Sequence, residues 1–291
     1  MSGAFTAQAV ARSFGAASRS YDAAATLQAQ VREELLSRLA LLRAAPRAVL
    51  DLGAGTGLGA RALKRAFPRA TVTATDICAS MLEQARRHSR FWRPIRCIEA
   101  DARALPVESA SIDLVFTNLM LQWIDPLDDA LQEVRRVLKP GGLLLASSFG
   151  PLTLQELRAA WGEADAGVHV NEFVDMHDFG SALQRAGFSE PVLDVDRHLR
   201  HYADAATLMR EIKAIGAHNV HAERRRGLTG RTAFQRMNAA YESLRGPQGL
   251  PATWQVVYAV AWAPEGTRVA EPPPGEFHIG LEQLRGSLKK R

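Results

Sequence analysis

A chain of 291 residues with 47 % hydrophobic and 23 % charged residues has the balance of a folded globular protein, which excludes a disordered or fibrous one. Its apolar runs fall short of the roughly 18–20 residues that span a bilayer, and it lacks a basic-then-apolar leader, so we expect a cytoplasmic protein with no membrane partner. The net charge is +5, and the cysteines Cys78 and Cys97 show no metal-ligand spacing, which predicts reduced structural thiols.

Residues 1–45 are predicted to form an N-terminal helical arm. Apolar residues recur there at the three-to-four residue spacing of one helix face. They are Phe14, Tyr21, Leu27, Val31, Leu35 and Leu39. A helical arm therefore precedes the first predicted strand.

From residue 46 onward, short apolar runs alternate with helical stretches. Strands are predicted at 48–50, 70–74, 96–98, 113–117 and 142–147, and helices near 57–66, 80–90 and 126–138. The repeated order of strand, helix and strand predicts a parallel sheet with helices on both faces.

The same rhythm continues after residue 150. Helices are predicted at 152–161 and 177–186, and strands at 191–196 and 255–263. The result is an α/β domain over residues 46–263, with a doubly wound, mostly parallel, seven-stranded sheet. A helical insertion at about 199–247 lies before the last strand, where insertions commonly shape substrate access. Residues 264–291 are expected to be a loosely ordered tail.

A glycine-rich turn follows the first predicted strand, in the run Asp51-Leu52-Gly53-Ala54-Gly55-Thr56-Gly57-Leu58. Gly53 and Gly55 allow the backbone to turn sharply and to lie close to a nucleotide. A dinucleotide fingerprint would need a third glycine where Leu58 stands. The carboxylate of Asp51 would repel a pyrophosphate but can help to hold the cationic amino-acid portion of S-adenosylmethionine (SAM). The turn therefore favours SAM over a dinucleotide.

The second predicted strand ends in an acidic residue, Asp76, which Ile77 follows. A carboxylate at this position can accept hydrogen bonds from both hydroxyls of a ribose. The alternative role for Asp76 is to cap the next helix, for which Ser80 is the better candidate. We therefore assign Asp76 and Ile77 to the cofactor site.

Further candidate residues follow the third and fourth predicted strands. At Asp101 and Ala102, a carboxylate can accept from an adenine amino group and a backbone amide can donate to the ring, with a solvated turn as the alternative. Asn118 lies at the crevice where sheets of this type bind ligands. Trp123 either faces the methyl donor or belongs to the core.

This series of motifs resembles the class I SAM-dependent methyltransferase family over residues 49–148. The matching segments are the glycine turn, Asp76 with Ser80-Met81-Leu82, the Asp101 turn, the fourth strand, and Leu138-Lys139-Pro140-Gly141-Gly142. The resemblance implies a Rossmann-like fold and SAM as the cofactor.

The flanking segments extend the resemblance to residues 10–263. They are Phe14-Gly15-Ala16-Ala17, Tyr21-Asp22, Leu27-Gln28, Leu121-Gln122-Trp123 and Ile212-Lys213-Ala214-Ile215-Gly216-Ala217. Together they resemble the malonyl-[acyl-carrier protein] O-methyltransferases of biotin synthesis, which esterify the free carboxylate of a malonyl thioester. The resemblance implies a malonyl-bearing acyl-carrier protein as partner. A carboxylate with a pKa near 4 is ionised at neutral pH and attacks a sulfonium methyl unaided, so we assign no general base.

The basic excess of the chain is concentrated in residues 196–245, which contain ten Lys or Arg and five Asp or Glu. Such a segment predicts an acidic partner, and a solvated surface is the alternative. The resemblance implies that arginines of this segment bind the acidic carrier protein. Tyr21 is the candidate to bind the substrate carboxylate, and an ordinary packing role is its alternative. The docking candidates are Arg224, Arg225, Arg226, Arg231 and Arg236.

Other functions remain as alternatives. The acceptor could instead be another small-molecule acid, a coenzyme A thioester or a quinone precursor, or the protein could bind SAM without turnover. Nucleic acid is not expected, because Asn118-Leu119-Met120-Leu121 lacks the Pro-Pro-aromatic run that grips a planar amino group. No metal is expected, because neither His198/His201 nor His218/His221 has a matched carboxylate. The sequence leaves the oligomeric state open.

Overall fold

The structure is a computed structural model that describes residues 6–42, 44–217 and 230–265. At its centre lies a seven-stranded sheet with the strand order β3-β2-β1-β4-β5-β7-β6. The strands are β1 (Ala48–Leu52), β2 (Thr71–Asp76), β3 (Ile95–Glu99), β4 (Ile112–Asn118), β5 (Leu138–Phe149), β6 (Ser189–Tyr202) and β7 (Leu250–Trp262). The first five are parallel, and β7 runs antiparallel to both β5 and β6. The predicted fold class is confirmed.

Helices cover both faces of this sheet. They are α1 (Ala7–Ala17), α2 (Tyr21–Ala24), α3 (Thr26–Leu41), α4 (Leu58–Ala66), α5 (Ala79–His88), α6 (Leu127–Val137), α7 (Gln155–Gly162), α8 (Met176–Arg185), α9 (Ala205–Ala214) and α10 (Arg231–Glu242). Within the described ranges, none of them is long and apolar enough to cross a membrane. The central strands β1 and β4 are apolar throughout their middle because helices bury them on both sides.

The strand order reverses direction at β1, whose two neighbours are β2 and β4. The connections after β1 and β4 therefore leave on opposite faces, and a crevice opens at the carboxyl ends of these strands. Asp51, Asp76 and Asn118 lie at or near the ends of the three strands that border it. The fold thus brings together three residues that were assigned to one site.

The N-terminal arm differs from the single amphipathic helix that the apolar spacing suggested. It is divided into α1, α2 and α3, with breaks at Ser18–Ser20 and at Ala25. The hydroxyl of Ser20 donates to the carbonyls of Ala17 and Ala214, and serine side chains that bind backbone groups in this way compete with helical hydrogen bonds. Before the breaks, α1 contacts α5 and α2 contacts α9, whereas α3 packs against β4 and β5.

The insertion before the last strand is shorter than predicted, because β6 continues to Tyr202 instead of ending at residue 196. The remaining segment contains α9 and α10. The end of α9 meets the N-terminal arm, where the hydroxyl of Ser13 donates to the carbonyl of Gly216 at 2.7 Å. The insertion and the arm are therefore joined. Most of the predicted tail from residue 264 lies outside the described residues.

Candidate functional site

A cleft of about 860 Å³ opens at the carboxyl ends of β1, β2 and β4. Its wall includes seven of the eight residues assigned to the cofactor, namely Gly53, Gly55, Asp76, Ile77, Asp101, Ala102 and Asn118, together with Tyr21 and Trp123. The sequence assignments therefore converge on one cavity.

The glycine turn passes close to a neighbouring loop and can do so only without side chains. Gly53 has φ +70°, and a Cβ added there would lie 2.1 Å from Cγ of Met120. Gly57 has φ +82°, and its Cβ would lie 2.6 Å from that of Ala85. Both positions therefore require glycine, on grounds of conformation and of space.

Asp76 organises the turn as well as facing the cavity. One carboxylate oxygen accepts the N–H of Gly55 and the other accepts the N–H of Cys78, each at 2.8 Å. Burial raises the pKa of Asp76, and these backbone donors oppose that rise. The expectation that Ser80 would cap α5 is wrong, because Ser80 lies inside the helix. The residue before the helix is Cys78, and its N–H donates to the carboxylate of Asp76. The N-cap of α5 is Cys78 and makes no side-chain capping hydrogen bond, so Asp76 orders the segment that leads into the helix without capping it.

Asp51 lies behind the turn, beside a second cavity of about 520 Å³. Its Oδ2 is buried and has no hydrogen-bond partner among the described residues. Burial raises the pKa of Asp51 to about 7; the N–H of Ala60 and the charge of Arg32 lower it, while the charge of Asp76 raises it further. A buried acceptor without a donor beside a cavity is suited to a cationic ligand group.

Arg32, which was not among the predicted site residues, lines this second cavity with Asp51. Tyr21, Gln28 and Arg32 follow each other at spacings of seven and four along the arm, and all three border the cavity. Gln28 and Arg32 share one face of α3, whereas Tyr21 lies on α2, before the break at Ala25. A polar pair of this kind was the available signal, but its position opposite Asp51 depends on how α3 packs.

Asp101 and Asn118 border the cavity with their polar atoms already engaged. The carboxylate of Asp101 accepts from the guanidinium of Arg103 at 2.7 and 3.0 Å, and this hydrogen bonding lowers the pKa of Asp101. The amide of Asn118 donates to the carbonyl of Gln28 and accepts from the hydroxyl of Ser147, each at 3.0 Å. Asn118 therefore ties β4 to α3 and β5 in addition to lining the cavity.

Three aromatic rings form the outer wall of the cleft. Phe14 lies edge-on to Trp123, with ring centroids 5.3 Å apart, and 6.4 Å from Tyr21. Burial, followed by the charges of Asp76 and Asp22, raises the pKa of Tyr21, so its hydroxyl stays protonated and can donate. Trp123 is both a buried residue and part of the cavity wall.

The arginines assigned to docking are only partly described. Arg224, Arg225 and Arg226 lie outside the described residues. Arg231 and Arg236 are exposed on α10. Elsewhere in the basic segment, Arg200 pairs with Glu211 at 3.3 Å and Arg245 pairs with Glu242 at 2.7 Å, so part of its charge is neutralised internally.

Of the two histidine pairs weighed as metal ligands, the one within the described residues does not lie on a helix. His198 and His201 lie on β6, where a separation of three residues places them on opposite faces of the strand. His218 and His221 lie outside the described residues.

Comparison with known proteins identifies relatives at two levels. A family model described as a methyltransferase domain matches residues 50–146. The malonyl-[acyl-carrier protein] O-methyltransferase of Xylella fastidiosa (strain M23) is 47 % identical over 266 residues, covering 91 % of this chain and 90 % of that protein. The protein of the same name from Laribacter hongkongensis (strain HLHK9) is 47 % identical over 263 residues, covering 88 % and 89 %.

Among solved structures, the YcgJ protein of Bacillus subtilis superposes with a TM-score of 0.58, at 17 % identity, over 80 % of this chain and 99 % of that one. Such a match concerns the fold alone. The relatives at 47 % identity span the arm, the sheet and the insertion, and their names describe a methyl-transferring enzyme. The protein is therefore a methyltransferase, and the chain belongs to the malonyl-[acyl-carrier protein] O-methyltransferase family.

Proposed function

We propose that this enzyme transfers a methyl group from SAM to the free carboxylate of a malonyl group carried by acyl-carrier protein, forming the ester that starts biotin synthesis. The observation that carries the proposal is the 47 % identity to proteins of that name over nine-tenths of both chains. Because the similarity includes the arm and the insertion around the cavity, it extends to the residues that would meet the acceptor.

The cleft and the second cavity share Gly53, Gly55 and Asn118, and their polar groups suit the parts of SAM. Asp51 offers a buried, unpartnered carboxylate oxygen to the ammonium group of the amino-acid portion. Asp76 offers its remaining lone pairs to the ribose, and Ile77, Asp101 and Ala102 form the wall that would enclose the adenine. When bound, SAM supplies an electrophilic methyl group on a positively charged sulfur.

The other cavity residues serve to align and desolvate the acceptor. A malonyl carboxylate is ionised at neutral pH, so no residue need remove a proton from it. Phe14 and Trp123 exclude water from the mouth of the cleft, and the protonated hydroxyl of Tyr21 can donate to the carboxylate. Rate acceleration on this account comes from positioning.

The carrier protein would approach over the insertion. Arg231 and Arg236 project from α10 without an ion pair to another described residue, so they are available to acidic side chains. Arg224, Arg225 and Arg226 belong to the same proposed docking surface by sequence. The hydrogen bond between Ser13 and Gly216 joins the end of α9 to the arm that carries Phe14 and Tyr21.

The test is methyl transfer from labelled SAM to carrier protein that bears malonyl, with acetyl-carrier protein as the control. The two carriers present the same protein surface, but acetyl has no free carboxylate. We expect label on malonyl-carrier protein alone. Equal labelling of both, or labelling of malonyl-coenzyme A at the same catalytic efficiency, would overturn the proposed acceptor.

A further inference from the structure

A second cleft lies at the edge of the sheet opposite the cofactor cavity. Helices α4 and α5 begin beside that cavity and end at this cleft, where β3 starts. The cleft has a volume of about 690 Å³ and is lined by Arg61, Lys64, Arg65, His88, Arg90, Trp92, Arg93 and Ile95. Six of these eight residues are basic or titrate to a cation, and none is acidic.

Within the described ranges, the arginines of this cleft have no acidic partner. Among the described residues, none of Arg61, Arg65, Arg90 and Arg93 forms an ion pair, whereas Lys64 donates to the carbonyl of Ala70. Arg65 lies in the last turn of α4, where the helix dipole stabilises a positive charge. This explanation does not extend to the other three. Like charges held together without a counter-charge destabilise the protein unless an anion binds between them.

A tight turn places two aromatic side chains beside these charges. The N–H of Arg93 donates to the carbonyl of Arg90 at 2.9 Å, which closes a two-residue turn over Phe91 and Trp92. Phe91 is 98 % exposed and Trp92 is 71 % exposed. The guanidinium of Arg90 lies 5.7 Å from the centre of the Trp92 ring, so an arginine lies over one face of the indole. The turn thus adds an apolar platform to a cationic cleft.

We propose that this cleft binds the phosphate groups of a ligand whose planar or apolar part lies on Trp92. Four guanidinium groups around one concavity exceed what a single carboxylate can use. One guanidinium group can donate two hydrogen bonds to a pair of phosphate oxygens. Several guanidinium groups together therefore suit a ligand that exposes two or more phosphate oxygens. The site is separate from methyl transfer, since the length of α4 and α5 lies between it and the cofactor cavity.

The test is calorimetric titration of the protein, saturated with S-adenosylhomocysteine so that its cofactor cavity is filled. The ligands are pyrophosphate, ATP, vesicles of phosphatidylglycerol, and polyaspartate as a carboxylate polyanion. Tryptophan fluorescence locates binding, because Trp92 is the one exposed tryptophan of the five: Trp262 is half-buried, and Trp123, Trp161 and Trp254 are each less than 10 % exposed.

Two double variants with the same change of charge separate the cleft from general basicity. Arg65→Glu/Arg93→Glu alters the cleft, and Arg197→Glu/Arg210→Glu alters the opposite edge of the sheet and α9. We expect a phosphate ligand to shift Trp92 emission and to bind at least about tenfold more weakly to the first variant, with the second unchanged. The cleft variant and the parent should transfer methyl groups at the same rate.

The comparison of ligands also identifies the source of the phosphate. Binding of pyrophosphate or ATP indicates a free ligand, and binding of vesicles alone indicates a lipid headgroup. The proposal is overturned if polyaspartate binds as well as the phosphate ligands, if the two double variants lose binding equally, or if none of the phosphate ligands binds.

Discussion

The carboxylate of Asp76 accepts the backbone N–H of Gly55 at 2.8 Å, so the end of β2 fixes the glycine turn that follows β1. The turn and the acidic residue are 21 positions apart in sequence and form one unit in the fold. Any change at Asp76 therefore affects both the proposed ribose contact and the backbone that surrounds the ligand.

Replacing Asp76 by Asn should weaken SAM binding strongly. The amide keeps one acceptor but loses the charge and the second acceptor, and hydrogen bonds to a charged group contribute about 1.5–3 kcal/mol. We expect the dissociation constant measured by calorimetry to rise roughly 10- to 100-fold. Asp194→Asn is the matched control, because Asp194 pairs with Arg38 at the surface. Equal affinities of the two variants would contradict the assigned role of Asp76.

Asp51 makes the stability of the ligand-free protein depend on pH. Its pKa is raised to about 7, whereas an unfolded aspartate ionises near 4, so the folded state binds more protons between these values. Stability therefore falls as pH rises through this window. Asp51→Asn does not titrate, and its free energy of unfolding relative to the parent should rise by about 3 kcal/mol between pH 5 and pH 8. Urea unfolding at pH 5 and pH 8 measures the difference; an unchanged difference would contradict the raised pKa.

The same residue should make ligand binding depend on pH in the opposite sense. The ionised carboxylate is the form that attracts an ammonium group, so SAM affinity of the parent should increase from pH 6 to pH 8. Asp51→Asn should bind more weakly and lose this increase. Parallel pH profiles of the two proteins would show that Asp51 does not contact the cationic end of SAM.

Gly216 tests the junction between the insertion and the arm. It has φ +72°, and an added Cβ would lie 3.0 Å from Cα of Phe14. Gly187 has φ +85° with open space around its Cβ position, so Gly187→Ala is a control with the same backbone strain. Each variant should lose about 1–2 kcal/mol of stability. Only Gly216→Ala should also raise KM for malonyl-carrier protein, because it alone displaces Phe14; equal KM values would contradict the proposed coupling.

Charge reversal on α10 tests the docking surface. Arg231→Glu/Arg236→Glu should raise KM for malonyl-carrier protein about tenfold at low salt, with kcat nearly unchanged, because surface charge mainly steers encounter. The difference should shrink as salt is added. Arg65→Glu/Arg93→Glu carries the same change of charge at a distant edge and should leave KM unaltered. If both variants raise KM to the same extent, the effect belongs to net charge and not to α10.

The parts of the fold that were predictable are those set by local sequence. The glycine turn and the apolar runs located β1, β2 and β4, and the alternation of elements indicated the parallel sheet. The end of β6 was missed because its last residues are charged, with Arg197 and Arg200 on an edge strand that only one neighbour pairs. Burial on both faces produces an apolar run, whereas a half-exposed edge strand does not.

The site was predictable where strand ends alone determine position, as for Asp51 and Asp76. Contacts between distant segments were not, because they depend on how helices pack. The amide of Asn118 is held by the carbonyl of Gln28, 90 positions away, and Arg32 reaches the region of Asp51 only through the placement of α3. The bond between Asp101 and Arg103 spans two positions and could have been inferred from their spacing.

Mass spectrometry of intact malonyl-carrier protein, after reaction with SAM and this enzyme, determines whether the malonyl carboxylate is the methylated group. We expect a gain of one methyl group, located on the malonyl moiety when the acyl-phosphopantetheine is fragmented, and its loss on mild alkaline treatment. A methyl group on a side chain of the carrier protein, a product that resists alkali, or no gain of mass with active SAM-binding enzyme would contradict it.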